Sequence, residues 1–256
     1  MKAMGVIPAR WGSTRFPGKS LAPVAGKPLI QWVLERARLA KRLSNVIVAT
    51  DDERIRRAVE RMGGQAVMTR PNHPSGTDRI AEAVAGQPVG VVVNIQGDEP
   101  LIDPGLIDRL VEVMEKDGSW DMATAAEPFT DTFTAGRLSV VKVVCDGTGR
   151  AMYFSRATIP VQRDEGSPPG PVTRLRHLGI YAYRREFLER LVKEPPCELE
   201  QLEKLEQLRA LHIGARIAVL QAEGSGAGVD TPEDVPRVEA LLRQGAARKQ
   251  KTEVDR

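Results

Sequence analysis

Three cations and several small residues crowd one short stretch of this chain: Arg10, Gly12, Ser13, Thr14, Arg15, Pro17, Gly18 and Lys19. The stretch follows an apolar run at residues 3–8, which reads as a short buried strand. Open α/β sheets bind ligands at the C-terminal edge of their strands. Exposed backbone N–H groups, a hydroxyl and three cations at such an edge suit a polyphosphate. A solvated basic turn explains any one of these residues; phosphate binding explains the set. The stretch approaches a P-loop but is not one, because five residues rather than four separate Gly12 from Gly18-Lys19-Ser20, and Pro23 stops the helix that should follow.

Carboxylates supply the complementary chemistry. Gln96-Gly97-Asp98-Glu99-Pro100 follows Val91-Val92-Val93-Asn94-Ile95, a run apolar on both faces as in a covered parallel sheet. Asp98 alone is equally a turn residue. Asp230, in Gly228-Val229-Asp230-Thr231-Pro232, also follows a strand pattern, and the rival reading there is an N-cap, a task Thr231 can take instead. Two carboxylates at separate strand ends, facing a phosphate loop, are the hard oxygen donors Mg²⁺ accepts beside substrate phosphates.

A third group, Arg70-Pro71-Asn72-His73-Pro74-Ser75-Gly76-Thr77-Asp78, sits at another strand end, where Ser75, Gly76 and Thr77 open a helix and offer N–H groups to a nucleotide. Capping alone accounts for Ser75 or Thr77. In the second half, Arg156 has the fork that pairs a substrate carboxylate, and Glu206 and Gln207 suit sugar hydroxyls. Against this, His177 beside an apolar strand fits a hydrogen-bonded structural residue, and Glu200, Glu203 and Glu206 fit a solvated helix face. His73, His177 and His212 are scattered, without zinc or triad spacing. Gly224 to Gly228 imitates a dinucleotide fingerprint but lacks a following strand-turn-helix unit.

The elements that must place these groups alternate. Pro28 at N1 starts a helix through Leu29, Val33, Ala37 and Ala40; residues 46–49 form a strand; Thr50 or Asp51 caps a helix through Ile55, Ala58, Val59 and Met62. Residues 65–69 form a strand, a helix runs from about Thr77, residues 89–96 form a central strand, and Asp103-Pro104 opens a helix through Met114. Beyond Trp120 come short strands at 122–125, 140–145 and 152–155, a polar loop at 164–173, a strand at 177–183, two helices, a strand at 216–222 and a last helix from Thr231-Pro232. The expectation is a doubly wound, mostly parallel α/β sheet in one domain, residues 1–243, with an inserted lobe at about 129–173 and a frayed, charged tail at 244–256.

Composition is ordinary for a globular chain of 256 residues, with 41% hydrophobic and 28% charged. The net charge of +3 equals that of residues 243–256, which hold five basic and two acidic residues, so the remainder is neutral and argues against nucleic acid as partner. Cys145 and Cys197 lack C-x-x-C spacing and suit a reducing compartment. Residues 1–9 are too short for a signal peptide, and no apolar run approaches membrane-spanning length, so a cytoplasmic protein is expected.

The motifs Ile7-Pro8-Ala9-Arg10-x-x-Ser13-Thr14-Arg15-x-Pro17-Gly18-Lys19, Val48-Ala49-Thr50-Asp51, Ser75-Gly76-Thr77, Gln96-Gly97-Asp98-Glu99-Pro100, Tyr153-Phe154-Ser155-Arg156, His177-Leu178-Gly179-Ile180-Tyr181 and Gly228-Val229-Asp230-Thr231-Pro232 occur in that order. Together they resemble the 3-deoxy-manno-octulosonate (KDO) cytidylyltransferases over residues 1 to about 243. The resemblance implies a nucleotidyltransferase sheet, transfer of CMP from CTP to KDO for lipopolysaccharide, Mg²⁺ as cofactor, and a homodimer that meets through the inserted lobe. It implies Lys19, Asp98 and Asp230 as catalytic residues, with Asp98 and Asp230 on the metal. It implies CTP contacts from Arg10, Ser13, Arg15, Lys19, Arg70, Ser75, Gly76 and Gln96. Sugar contacts are implied for Gln96, Arg156, His177, Tyr181, Glu206 and Gln207. Gln201 replaces a His frequent in that family, and Gly224-Ser225 lacks its proline, which leaves KDO and its 8-amino analogue both open as the sugar.

Overall fold

The computed structural model describes all residues except 13–14, 165–170, 223–226 and 255–256, and omits the side chains of 245–254. Along the chain run β1 (Ala3–Ala9), β2 (Pro23–Val24), β3 (Lys27–Pro28), α1 (Leu29–Ala37), β4 (Leu43–Thr50), α2 (Glu53–Arg61), β5 (Gln65–Met68), α3 (Gly76–Ala83), β6 (Val91–Asn94) and α4 (Pro104–Lys116). Then follow β7 (Met122–Phe129), α5 (Thr132–Gly136), β8 (Lys142–Cys145), β9 (Ala151–Ser155), β10 (Arg174–Arg184), α6 (Arg185–Leu191), α7 (Glu198–Glu203), α8 (Gln207–His212), β11 (Ile217–Gln221) and α9 (Val235–Val254). Two compact units result. The first comprises Met4–Gln87, Asn94–Ile107 and Gly226–Arg256; the second comprises Met1–Ala3, Pro88–Val93 and Asp108–Ser225.

In the first unit the strand order is β1-β4-β5, with β4 and β5 parallel. Parallel neighbours need a crossover, and α2 supplies it, burying Ile55, Ala58 and Val59. Its N-cap is Asp52, which accepts from Arg54 N at 2.9 Å, and not Thr50 or Asp51 as expected. Thr50 is still part of β4, and Asp51 pairs with Arg79 at 2.8 Å, so neither is available to cap. Pro28 likewise precedes α1 as its N-cap, with extended ψ of 142°, and Leu29 is the first helical residue.

The expected loop at 10–26 contains more order than its composition suggests: a single 3-10 turn at Lys19–Leu21 and the antiparallel hairpin β2–β3. A small core of Val24, Leu29, Val229 and Val238, with Phe16, Trp32 and Val235 against it, packs this hairpin on the start of α9. Trp32 Nε1 donates to Val24 O at 2.7 Å, and Ala25 N donates to Glu239 Oε1 at 2.6 Å. These contacts bring residues 227–235 to the phosphate loop. α9 continues into the segment expected to fray, as far as Val254, in keeping with the Ala, Arg, Lys and Gln of that stretch.

In the second unit the order is β11-β7-β10-β6. β7 is antiparallel to β10 and parallel to β11, so the class is the α/β expected, with a mixed sheet. β8 pairs with β10 and with β9, both antiparallel. Within the segment expected as a lobe, β8 therefore builds onto β10 and β9 onto β8, and the two compact units divide the chain elsewhere than the sequence suggested.

Candidate active site

The phosphate loop is shaped by Gly18, whose φ of 71° is left-handed and whose missing Cβ would meet the Trp11 ring at 3.0 Å. Gly18 N donates to Trp11 O at 3.0 Å, and the Arg54 guanidinium lies 3.4 Å from the centre of the Trp11 ring. Lys19 emerges from this turn with its side chain 16% exposed. Its ammonium donates to Asp98 Oδ2 at 2.7 Å and stands 3.8 Å from Asp230 Oδ1, while Arg15 reaches the same Asp230 oxygen at 3.2 Å. One ammonium thus holds two carboxylates that are far apart in sequence.

Backbone geometry enforces this meeting. Ile95 N donates to Val6 O at 3.0 Å, which carries β6's continuation alongside β1. A Cβ on Gly97 would lie 3.0 Å from Pro8 O, so glycine permits the close approach that turns the chain into Asp98. Val229 N donates to Asp98 O at 2.9 Å and ties the Asp230 segment to it. Thr231 is the N-cap that follows, in a capping box with Asp234, so the Asp230 carboxylate is not spent on capping. Glu99 feels the result: burial, and then the charges of Asp98 and Asp230, push its carboxyl up to about 7.

Around these groups lies a cavity of about 310 Å³ lined by Pro8, Arg10, Arg15, Lys19, His73, Ser75, Gly76, Arg79, Gln96, Gly97, Asp98 and Asp230. Of its cations, Arg15, Lys19 and Arg79 face acidic partners, and the volume leaves room for an anionic ligand. The donor set fits Mg²⁺, since two carboxylates on one ammonium are hard oxygen ligands with substrate phosphates left to complete the shell. No group of three or more metal-ligating side chains occurs among the described residues.

A second cluster lies in the second unit, where β10 slips its register against β7 between Leu178 and Tyr181. Such a bulge re-aims side chains. At this break Thr124 Oγ1 donates to Ile180 O at 2.7 Å and lies 3.0 Å from His177 Nε2. With the hydroxyl proton given to Ile180, Nε2–H of His177 is the donor to Oγ1, and Nδ1 is left as an acceptor. Phe154 meets the imidazole edge-on at 5.0 Å, and Tyr181 lies 5.4 Å away. Burial lowers the His177 pKa to about 3, so the ring is neutral. A pKa below the unfolded value of 6.5 stabilises the fold above pH 6.5, and this is lost as pH falls from 6.5 toward 3. Melts across that range will show a slope of up to ~1 kcal/mol per pH unit from this group, and His177→Gln will flatten it.

The cytidylyltransferase family profile matches residues 4–217 of this chain. The chain belongs to the cytidylyltransferase family. A 3-deoxy-manno-octulosonate cytidylyltransferase of Bdellovibrio bacteriovorus is 49% identical over 243 residues, 94% of this cytidylyltransferase and 98% of that protein. An 8-amino-3,8-dideoxy-manno-octulosonate cytidylyltransferase of Shewanella halifaxensis is 50% identical over 241 residues, 93% of this chain and 97% of that one. Among solved structures, a CMP:2-keto-3-deoxy-manno-octonic acid synthetase complexed with CTP superposes with a TM-score of 0.91 at 42% identity. It covers 96% of this chain and 100% of its own.

The structure of this cytidylyltransferase brings Arg10, Arg15, Lys19, Ser75, Gly76, Gln96, Asp98 and Asp230 to one cavity; Ser13 lies outside the described residues. Ser75 Oγ caps α3, accepting from Thr77 N and Asp78 N at 3.1 and 3.2 Å. Arg70 does not line the cavity: it pairs with Glu82 at 3.0 Å with its side chain 72% exposed. Arg79 lines it instead, buried, with one terminal nitrogen on Thr69 Oγ1 and the other on Asp51. Sequence reading missed Arg79 because its partners come from two other strand ends. Arg156 is not a free fork, since its guanidinium donates to Glu203 O, Leu138 O and Lys204 O at 2.7, 2.9 and 3.3 Å. Nor are Glu200 and Glu203 a solvated face: Glu200 holds the buried Arg209 through two bonds of 2.8 Å, and Glu203 accepts from Ser155 Oγ at 2.6 Å. Glu206 precedes α8 and Gln207 begins it, buried.

Proposed function

We propose that this chain transfers CMP from CTP to 3-deoxy-D-manno-octulosonate, forming CMP-KDO and releasing pyrophosphate, the activation step that prepares the sugar for lipopolysaccharide. The observation that carries this reading is the Lys19 ammonium between Asp98 and Asp230 in a cation-lined cavity. High similarity to relatives that carry this name supports the choice of substrates.

Arg10, Arg15 and Lys19 bind the triphosphate, and Ser75, Gly76 and Gln96 orient the nucleoside. The anomeric hydroxyl of the sugar attacks the α-phosphorus in line, and Lys19 offsets charge that grows on the leaving phosphates. Asp98 and Asp230 would hold Mg²⁺, which would supply charge neutralisation at the phosphate oxygens. His177, Tyr181, Glu206 and Gln207 hold the acidic sugar, with Arg156 as a further contact. The neutral His177 offers its Nδ1 as acceptor to a sugar hydroxyl.

The enzyme works as a homodimer in the cytoplasm, where CTP is available. Large apolar side chains left exposed within residues 129–173 support the dimer: Phe133 is 76% exposed, Leu138 68% and Val161 75%. No described helix is long and apolar enough to cross a membrane.

The test is pyrophosphate release by purified protein with each of four nucleoside triphosphates against KDO, its 8-amino analogue and sialic acid. CTP with KDO will give the highest kcat/KM. Equal turnover with UTP, or preference for sialic acid, overturns the reading. Relatives named for KDO and for the 8-amino sugar are equally similar to the chain, so preference for the analogue would move the assignment to that sugar.

A further inference from the structure

The end of β9 and the turn between α7 and α8 are joined by reciprocal bonds. The Glu203 carboxylate accepts from Ser155 Oγ at 2.6 Å and from Arg156 N at 2.8 Å. In return Arg156 Nε donates to Glu203 O at 2.7 Å, and its NH2 group donates to Lys204 O at 3.3 Å. Lys142, fully buried, completes the arrangement by donating to Arg156 O, and also to Val140 O at 2.7 Å and Arg137 O at 3.1 Å. Arg156 is therefore held by one bond at each of its main-chain N–H, its carbonyl and its three guanidinium nitrogens.

The turn so clamped is one the chain does not favour on its own. Lys204 has φ of 53° and ψ of 48°, a left-handed conformation disfavoured for a residue with a Cβ. It ends α7 and allows α8 to begin at Gln207, only three residues later. Leu205 and Leu208 are buried at 5% and 1% exposure, which fixes the rotation of the new helix. Glu206 and Gln207 stand at that start. Burial, and then Tyr183 and Glu206, raise the pKa of Tyr181, whose ring centre lies 5.4 Å from that of His177.

We propose that Glu203 is a positioning residue of the sugar site. Its carboxylate locks the Ser155–Arg156 strand end to the α7–α8 turn, and so sets both the orientation of Arg156 and the point where Glu206 and Gln207 are presented. Arg156 keeps one N–H on each terminal nitrogen after its carbonyl bonds, and it meets a substrate only in the orientation the clamp allows. Glu203 acts through these neighbours and need not touch the substrate. The inference rests on the sugar-site reading given above.

Steady-state kinetics with both substrates varied, on Glu203→Ala, Glu203→Gln, Ser155→Ala and the direct-contact variant Gln207→Ala, test it. Glu203→Ala will raise KM for KDO about tenfold while KM for CTP stays within about twofold, the pattern of a lost binding contribution confined to one substrate. Glu203→Gln will restore KM for KDO to within about threefold, since a carboxamide oxygen accepts from Arg156 N and its NH₂ donates to Ser155 Oγ. Ser155→Ala, which removes one bond only, will raise KM for KDO about threefold, and it decides the matter if Glu203→Ala does not fold. Equal losses toward CTP and KDO, or no rescue by Gln, overturn the proposal. If Gln207→Ala raises KM for KDO and the Glu203 and Ser155 variants do not, the positioning role fails and the sugar site stands. If none of the four raises it, the sugar-site reading itself fails.

Discussion

Asp98→Asn will lower kcat for pyrophosphate release by on the order of 10³-fold and leave the fold intact. Asparagine keeps the size of the side chain and a carbonyl oxygen for Lys19, and the bond from Val229 N to Asp98 O belongs to the backbone, so the turn survives. What disappears is a negative charge at the point where one ammonium meets two carboxylates. The ion pair is partly exposed, at 16% and 30% for its two side chains, so stability will change by no more than about 1 kcal/mol. Thermal melts and a Mg²⁺ titration of activity separate the two effects. Turnover retained at saturating Mg²⁺ would remove Asp98 from the chemistry.

Why Asp98 was visible in the sequence, while Glu203 was not, is a matter of which forces are local. Asp98 follows a run of Val and Ile with no polar face, and such a run ends at the ligand edge of its sheet whatever surrounds it. Gly97 marks the close approach to Pro8 O, and both signals lie within a few residues. For Asp230 two caps competed on paper; the Asp234 carboxylate, three residues past Thr231, decides for Thr231. Glu200 and Glu203 look on the sequence like one exposed acidic stripe. Their partners are Arg209, on the next helix, and Ser155 and Arg156, at the end of a distant strand. Periodicity carries no information about such pairs.

The departures from expectation at Arg70 and in the C-terminal helix have the same origin in reverse. Arg70 stands beside the Ser75-Gly76-Thr77 helix start, and adjacency suggested a phosphate ligand. Glu82, one turn and a half into α3, takes the guanidinium and the Arg70 N–H instead, and His73 also meets that carboxylate. In the tail, charge suggested fraying, and residues of high helix propensity instead continue α9 to Val254. The segment expected as a lobe has a topological tie to the sheet: β8 pairs with β10 and β9 with β8, so strands that look inserted in sequence extend that sheet.

Lys19→Met will separate two tasks that one ammonium performs. Without nucleotide, Lys19 offsets the repulsion between Asp98 and Asp230; in the proposed reaction the same charge serves the phosphates. Methionine keeps the length of the stem and none of the charge, so kcat/KM for CTP will fall by about 10²- to 10³-fold. Divalent-metal binding to the nucleotide-free protein will change in the opposite direction. A cation entering between the carboxylates must displace the ammonium in the native protein, and in the variant it meets none. Mn²⁺ titrations should give an affinity roughly five- to tenfold higher, moderated by Arg15, which still pairs with Asp230 at 3.2 Å, and by solvent. Burial, and then the charges of Asp98 and Asp230, push the neighbouring Glu99 carboxyl up to about 7, in keeping with a negative potential at this pair of carboxylates. Weaker or unchanged Mn²⁺ binding in the variant would mean that these carboxylates are not where the metal sits. Lost activity with increased metal affinity has no simple explanation in misfolding, since a disordered site loses both.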